Sequence, residues 1–357
     1  MTIIDDEVAS GVAVLARGPV SELLLDVLQH GVPGAPAISA VGVAAEHAIA
    51  STADVASDED VQFSLFLLYA CAYGSLDWID AEWEWDPELL RARHAMERGF
   101  EEALRRDVVV PPLPSADGGA IADALFSLTA PTPGPSLARY VAKQATLEQG
   151  REFIIQRSIY TLREADPHSW AIPRLTGRPK AALVEIQSDE YGAGRPECMH
   201  AEIFARTMRG LGLDSRYGAY LDLVPAETLA SQNAMSMFGL NRRLLGAIVG
   251  HLAAFEMTSS LPNRMYGDGF RRLGFGEPVT EYFDEHVEAD AVHEQIAARD
   301  LAGALGEDRP DLIPDIFFGA AACLALDDRA ADRIRSAFET GRSCLHAGRD
   351  AAVVPGA

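Results

Sequence analysis

The chain has 357 residues, 48% of them hydrophobic, so it can bury a substantial core and suits one large domain with a smaller one. Its 53 acidic residues against 30 basic residues give a formal net charge of -23. This charge repels phosphate backbones and anionic lipids, which argues against nucleic acid and membrane surfaces as partners and favours a neutral or cationic small molecule. High acidity also serves solubility alone.

Cysteine usage and the start of the chain indicate a cytoplasmic protein. The cysteines have no paired spacing, which argues against a disulfide framework and against a zinc cluster. They are Cys71, Cys198, Cys323 and Cys344. The first residues carry acids where a secretory signal needs bases. The longest apolar run, around residues 65–73, is far shorter than the ~20 residues that cross a bilayer.

The first part of the chain predicts short helices. Residues 1–56 form an arm of uncertain structure, with a helix plausible at 20–28. The acids at 58–60 indicate a helix start, because negative charge is favourable at the positive end of the helix dipole, and this helix continues to about residue 73. Residues 88–105 predict an amphipathic helix with its charges facing outward.

Two proline-rich stretches, at 110–114 and 131–135, indicate a linker between two units. We therefore expect a smaller N-terminal helical unit with its linker over residues 57–134, a larger domain over 135–346 and a flexible tail over 347–357.

The larger domain predicts long helices with few alternating patterns. Residues 181–186 could form a strand, but the pattern favours a helix. Turn residues at 210–212 and 261–263 separate the helices. The predicted long helices cover residues 137–165, 200–210, 235–259, 277–305 and 313–340. The predicted fold class is all-α: a helical bundle with a smaller helical unit in front.

One segment of this bundle carries a metal-binding pattern. On a helix, His286, Asp290 and His293 fall on one face, while Glu285 and Glu288 point elsewhere. The Cα atoms of the two histidines lie roughly 10 Å apart, which is long for one ion. Asp290 lies between them, so the spacing favours two metal ions, each with one histidine and a shared carboxylate. The pattern alone also suits a solvated surface.

Other helices offer further ligands. Candidate ligands elsewhere are Glu164, Glu190, His200 and Glu256. Glu256 stands in an apolar stretch, where burial requires a metal or an ion pair, for instance with Arg264. Four carboxylates would neutralise two ferrous ions, and carboxylates mixed with imidazoles suit iron or manganese better than zinc.

Two glutamates compete for the position near His200. Glu197 has the Glu-x-x-His spacing found in di-iron helical bundles, one turn before His200. Spacing alone slightly favours Glu197, with Glu190 as the alternative.

These residues resemble the haem-oxygenase-like di-iron oxidases and oxygenases, over roughly residues 137–345. Residues 185–192 together with His200 resemble the family's first ligand helix, and His286, Asp290 and His293 match its His-x-x-x-Asp-x-x-His motif. By the same resemblance Glu164 is a ligand, and Glu256 is the extra glutamate of the N-oxygenase branch, which includes the streptozotocin- and azomycin-pathway enzymes. The resemblance implies Glu190 rather than Glu197 as the ligand.

The resemblance also implies chemistry. Family members reduce dioxygen at two ferrous ions, form a peroxo-di-iron(III) species and oxidise a bound substrate, and an external reductant restores the iron. They often bind the second iron loosely, which Gly192 and Gly194 would allow. The N-terminal unit assists dimerisation in the N-oxygenase branch, and residues 57–105 are expected to do so here. A cupin domain is not seen, so a nitrosating rearrangement is not expected.

The leading functional hypothesis is N-oxygenation of an amine, amidine, guanidine or aminoimidazole in secondary metabolism. One alternative is a di-iron oxidase that cleaves or desaturates an aliphatic acid or amino acid, and another is a helical protein that binds iron without turnover. Glu164, His200 and Glu256 would hold one iron. The remaining ligands would hold the second iron or bridge the two; they are Glu190, His286, Asp290 and His293.

Aromatic and cationic side chains near these ligands are candidates for the substrate pocket, although each also suits an ordinary core position. They are Tyr160, Arg163, Trp170, Tyr191 and Phe204.

Overall fold

The computed structural model describes residues 14–32, 35 and 38–347, except for the side chains of residues 288–291. The described residues form fifteen α-helices and no strand, which confirms the all-α prediction. The helices that precede residue 135 are α1 (Pro19–His30), α2 (Ser39–Ser51), α3 (Glu59–Tyr73), α4 (Pro87–Asp107) and α5 (Gly118–Leu128).

The second part of the described chain carries ten more helices. They are α6 (Leu137–Lys143), α7 (Leu147–Thr161), α8 (Asp166–Ser169), α9 (Gly177–Glu190), α10 (His200–Gly210), α11 (Ala226–Leu240), α12 (Leu245–Arg272), α13 (Glu281–Gln295), α14 (Ala304–Asp308) and α15 (Ile313–Glu339). A π-helical segment, Ile296–Gly303, joins α13 to α14. Short 3₁₀ turns occupy Val55–Ser57, Ala81–Trp85, Ile172–Arg174, Gly192–Gly194, Pro196–Cys198, Leu221–Leu223, Arg242–Leu244 and Pro310–Leu312.

Helix starts in the N-terminal part follow the predicted capping chemistry. The side chain of Asp58 accepts a hydrogen bond from the backbone N–H of Val61 and begins α3 at the predicted place. Asp60, in the first turn of α3, accepts hydrogen bonds from the backbone N–H groups of Val20 and Ser21. This buried carboxylate fixes the start of α1 against α3.

Two of the predicted long helices are each divided in two. The predicted helix 137–165 breaks between α6 and α7, because Thr146 and Gln149 form a reciprocal capping box that starts a new helix. The predicted helix 235–259 breaks between α11 and α12, where Asn241 is extended and its side-chain amide donates to the carbonyl of Met237. Side-chain caps at these two positions satisfy the backbone better than a continuous helix would.

The predicted turn at residues 261–263 is wrong. Helix α12 runs through Pro262 for 28 residues and ends at Arg272. A proline inside a helix removes a hydrogen bond and costs ~3 kcal/mol. The long packing of α12 against α13 and α15 offsets that cost. The strand alternative at 181–186 is also excluded, because these residues lie within α9.

Helices α12 and α15 cross in very close contact. A Cβ at Gly250 would lie 1.8 Å from the carbonyl oxygen of Ile316, and one at Gly319 would lie 2.0 Å from that of Ala247. Only glycine allows the two backbones to approach so closely. This crossing fixes α12 deep in the core, and α12 carries Glu256.

Buried side chains join the two predicted units. One hydrophobic core contains α1 to α5 side chains such as Leu24 and Phe100 together with Phe238 and Phe317 from beyond residue 135. Burial alone therefore does not locate a boundary at residue 135, which stays a prediction. The predicted tail over 347–357 lies outside the described residues except for Ala347.

One helix in the described part of the chain, Arg242–Arg272, is long and apolar enough to cross a membrane by length and composition. Of its most apolar window, 67% is buried inside the protein. It also carries His251 and Glu256 in buried positions, which suits a core helix.

Candidate metal centre

Six of the seven predicted ligands come together in two groups of buried side chains. The first group consists of Glu164, Glu190, His200 and His286. The second group consists of Glu190, Glu256 and His293. Within each group, one ligand atom per residue lies within 4.8 Å of the others. Glu190 belongs to both groups, so a single carboxylate connects two potential ion sites.

A tight left-handed turn brings Glu190 and His200 together. Glu190 is the last residue of α9 and His200 the first of α10. Gly192, Ala193 and Gly194 all have positive φ angles, of 67°, 49° and 80°. A Cβ at Gly192 would lie 2.6 Å from the backbone of Cys198, so this position requires glycine. The result is a distance of 2.9 Å between Glu190 Oε2 and His200 Nδ1.

Helix α13 contributes one imidazole to each group. His286 Nε2 lies 3.4 Å from Glu164 Oε1 in the first group. His293 Nδ1 lies 3.5 Å from Glu256 Oε2 in the second. The two histidines are two turns apart, and the groups they enter are joined by Glu190. Their metal-binding roles stay a prediction.

Hydrogen bonds select which ring nitrogen faces each group. His286 Nδ1 lies 2.8 Å from the carbonyl oxygen of Tyr282, which can only accept, so this nitrogen carries the proton. His293 Nε2 lies 3.1 Å from Asp189 Oδ2. Metal-binding histidines typically donate their other N–H to a carbonyl or carboxylate in this way.

Several ligand atoms are buried without a hydrogen bond of good geometry, although Glu190 Oε2 and His200 Nδ1 lie as close as 2.9 Å to each other. Among the described residues they are Glu164 Oε2, Glu190 Oε2, His200 Nδ1 and His293 Nδ1. Leaving such an atom unpaired costs about 1–3 kcal/mol, more if it is charged. A cation between these atoms would supply the missing partner, and carboxylates with imidazoles suit iron or manganese. The residues present therefore fit a pair of iron ions.

The pKa values of the buried carboxyl groups also favour a bound cation. Burial raises the pKa of Glu190 well above its usual value, and the neighbouring carboxylates of Glu164 and Glu256 raise it further. Burial also raises the pKa of Glu164, but His286, His200 and the hydrogen bond from Tyr282 together outweigh burial and lower that pKa to about 2. Ionising all three carboxyl groups at such close range is therefore costly in the protein alone, and a nearby cation would favour their charged forms.

The structure separates the competing glutamates. Glu190 is buried at the end of α9, whereas Glu197 is exposed in the 3₁₀ turn Pro196–Cys198. Glu256 is buried beside His293, whereas Arg264 is exposed on the same helix. The geometry therefore favours Glu190 over Glu197 and a metal-facing Glu256 over an ion pair with Arg264.

The predicted division of ligands between the ions differs from the two groups observed. We expected Glu256 to join Glu164 and His200, but it lies with His293 because α12 passes the second group. His286 occupies the position in the first group that we expected for Glu256. Asp290 lies within α13, but its side chain, like that of Glu288, is outside the described part of the structure. Glu285 is exposed.

A cleft of about 370 Å³ opens onto the first group, which contributes Glu164, Glu190 and His200 to its lining. Arg163 and Asp166 line it as an ion pair, with Nη1 3.2 Å from Oδ2. Its remaining lining residues are Leu162, Ala165, Tyr191, Met199, Ala201, Glu202, Ala205, Ser215 and Tyr217. The volume suits a small organic molecule.

The predicted pocket residues divide between lining and core. Tyr191 and Arg163 line the cleft. Tyr160 lies on the opposite side of the ligands, against Phe255. Phe204 is fully buried core, and Trp170 lies partly exposed beside Tyr73.

Sequence spacing did not indicate the residues that support the ligands. Tyr282 donates a hydrogen bond to Glu164, and Asp189 contacts His293. A buried imidazole pair, His168 and His251, also lies next to the site, with 3.2 Å between ring nitrogens. Asp189 directly precedes the predicted ligand Glu190, and Tyr282 lies one helical turn before His286. This proximity was the one sequence feature that could have indicated them.

Comparisons with known proteins identify a matching family and a relative. Residues 151–328 match a family described as iron-containing redox enzymes, and this range contains all seven predicted ligands. Nitrosourea synthase from Streptomyces achromogenes subsp. streptozoticus is 29% identical over 171 residues, which cover 47% of this chain and 36% of that enzyme. The chain therefore aligns with only about a third of that relative's length.

Solved structures with a similar fold share little sequence. A CADD-like protein of unknown function from Nostoc punctiforme PCC 73102 has a TM-score of 0.48 at 14% identity, over 62% of this chain and 96% of that chain. A domain of unknown function with a heme oxygenase-like fold from Shewanella denitrificans OS217 has a TM-score of 0.47 at 14% identity, over 66% of this chain and 95% of that chain.

Proposed function

The chain belongs to the family of iron-containing redox enzymes, and we propose that it uses two iron ions and dioxygen to N-oxygenate a small nitrogenous molecule. The observation that carries the proposal is the sharing of Glu190 between two buried ligand groups. One carboxylate within reach of both positions allows two metal ions to act together.

When bound, two ferrous ions would supply two electrons that reduce dioxygen to the peroxide level, and this oxygen would be the oxidant that transfers one atom to a substrate nitrogen while the other atom becomes water. The protein's own residues would hold the ions and orient the substrate. Glu190 would bridge the ions, with Glu164, His200 and His286 on one side and Glu256 and His293 on the other. Leu252 and Phe255 line the inner side of the ligands with apolar side chains.

The cleft supports a substrate with a basic nitrogen. Glu164 and Glu190 lie at its inner end, where they would hold the metal, and Asp166 is paired with Arg163. Glu202 lines the cleft outside the ligand set and, together with the net charge of -23, favours a positively charged amine, amidine or guanidine over an anion. Nitrosourea synthase, by its name, makes a product with a nitrogen–oxygen bond, which supports nitrogen rather than carbon as the atom oxidised.

The test is rapid mixing of anaerobic, ferrous-loaded protein with ¹⁸O-labelled dioxygen, in the presence of candidate amines, amidines and guanidines. We expect two irons per chain, a transient visible absorption band and a product with a labelled N–O bond. Glu190→Gln should abolish the band, and Glu197→Gln, which changes an exposed carboxylate, should not.

Other outcomes would overturn the proposal in distinct ways. An alkene or a shortened acid as product would indicate a desaturase or a carbon–carbon cleaving oxidase. Iron uptake without substrate-dependent oxygen consumption would indicate a binding protein.

An electron donor is required to return the iron to the ferrous state. That donor, a homodimer formed through residues 57–105 and a cytoplasmic location stay predictions.

A further inference from the structure

Tyr282 contacts two of the proposed ligands at once. It lies in the first turn of α13 and is fully buried. Its phenol Oη donates a hydrogen bond to Glu164 Oε1 at 2.8 Å, and its main-chain oxygen lies 2.8 Å from His286 Nδ1. We propose that Tyr282 is the positioning residue of the first group, which holds Glu164 and His286 in the orientation that binds metal. This inference rests on the proposed iron centre.

The phenol decides which oxygen of Glu164 faces the site. Oε1 is engaged by Tyr282, whereas Oε2 is buried and has no partner. Glu164 is therefore fixed as a carboxylate with one free oxygen for an ion.

The main-chain contact decides the tautomer of His286. A proton on Nδ1, donated to the Tyr282 carbonyl, leaves the lone pair of the imidazole on Nε2. Nε2 lies 3.4 Å from Glu164 Oε1 and faces the first group. The side chain and the main chain of one residue thus orient two ligands that come from different parts of the chain.

Tyr282 is itself held in place. Its ring packs against Phe204, with 5.1 Å between centroids, and against the His286 ring at 4.2 Å. Arg157 lies beside the phenol, where its positive charge favours negative charge on the neighbouring oxygens. Because these contacts restrict the phenol, its hydrogen bond also restricts the position of the Glu164 carboxylate.

The second group is oriented by a different residue. His293 contacts Asp189, whose side chain is 57% exposed, and neither residue touches Tyr282 in the described structure. A change at Tyr282 should therefore affect one metal position and leave the other nearly intact. This separation makes the proposal testable without measuring turnover.

The experiment is a Co²⁺ titration followed by visible absorption, comparing wild type with Tyr282→Phe, which keeps the ring but removes the hydroxyl. We expect wild type to bind two Co²⁺ per chain. Tyr282→Phe should weaken one of the two by about 10- to 100-fold and alter its absorption band, because residues that orient ligands have effects of this size. Tyr266→Phe, a buried tyrosine without a contact to Glu164, is the matched control and should match wild type.

Two further variants separate positioning from folding. Asp189→Asn should weaken the other Co²⁺ position. In a Glu164→Gln background, Tyr282→Phe should have little additional effect, since it acts through Glu164. Unchanged affinity and absorption in Tyr282→Phe, an equal loss at both positions, or an additive effect with Glu164→Gln would overturn the inference. A wild type that binds no Co²⁺ would instead overturn the proposed iron centre.

Discussion

Glu190 is the residue on which the proposed centre depends most. It is buried, it lies 2.9 Å from His200 in the first group, and it lies 4.0 Å from His293 in the second. Its raised pKa reflects burial first and then the charges of Glu164 and Glu256. Without a cation, Glu190 is the carboxyl group in this cluster that is most costly to ionise. A metal ion bound beside it would remove that cost.

This position predicts different consequences for two similar substitutions. Glu190→Gln should weaken both iron positions, because the shared carboxylate is lost. Glu256→Gln should weaken only the second iron position and leave about one iron per chain, because a charged carboxylate binds a cation far more strongly than a neutral amide does. Iron per chain after anaerobic loading and gel filtration is the measurement. Full retention of one iron in Glu190→Gln would contradict the bridging role.

Sequence spacing could identify the ligand types but not choose among neighbours. The His286 and His293 pair follows directly from helical periodicity. Spacing alone favoured Glu197, which the structure exposes, because the left-handed turn at residues 192–194 reverses the chain in a way that no periodicity encodes. Tyr282 and Asp189 were missed for the same kind of reason: each acts across a contact between different helices.

At the scale of elements, the crossing of α12 and α15 positions Glu256. The two helices touch through glycines, with the backbone of each taking the place of a side chain on the other. The sequence showed α12 as a helix but ended it too early, because Pro262 normally breaks one. Packing along the whole length of α12 decides otherwise, and this packing is a property of the fold rather than of the segment.

The crossing predicts a large cost for one methyl group. Gly319→Ala would place its Cβ 2.0 Å from the carbonyl oxygen of Ala247, and the two backbones would have to separate. We expect a loss of about 2–3 kcal/mol in the free energy of unfolding. Gly42→Ala is the matched control, because Gly42 lies inside α2 with nothing within 4 Å of the added Cβ. It should gain about 0.5–1 kcal/mol from helix propensity. Equal urea midpoints for the two variants would show that the helices can move apart freely.

At the scale of the molecule, the candidate centre is a cluster of buried charges inside an apolar bundle. Three described carboxylates, Glu164, Glu190 and Glu256, lie among imidazoles, with Arg157 as the nearby guanidinium. Such a cluster is expensive to desolvate without a counter-ion. The folded state without metal should therefore be less stable than the sequence's hydrophobic content suggests.

Metal binding should accordingly stabilise the whole chain. A ligand that binds only the folded state at a hundredfold excess over its dissociation constant adds about 2.7 kcal/mol, so ferrous iron should raise the melting temperature by several degrees under anaerobic conditions. A chelator should reverse the shift. Glu190→Gln should melt near or above metal-free wild type, because a buried carboxyl group that is costly to ionise has been removed, and it should respond little to iron. An iron-induced shift of equal size in both proteins, measured by calorimetry, would mean that the stabilising iron binds somewhere other than between these two groups.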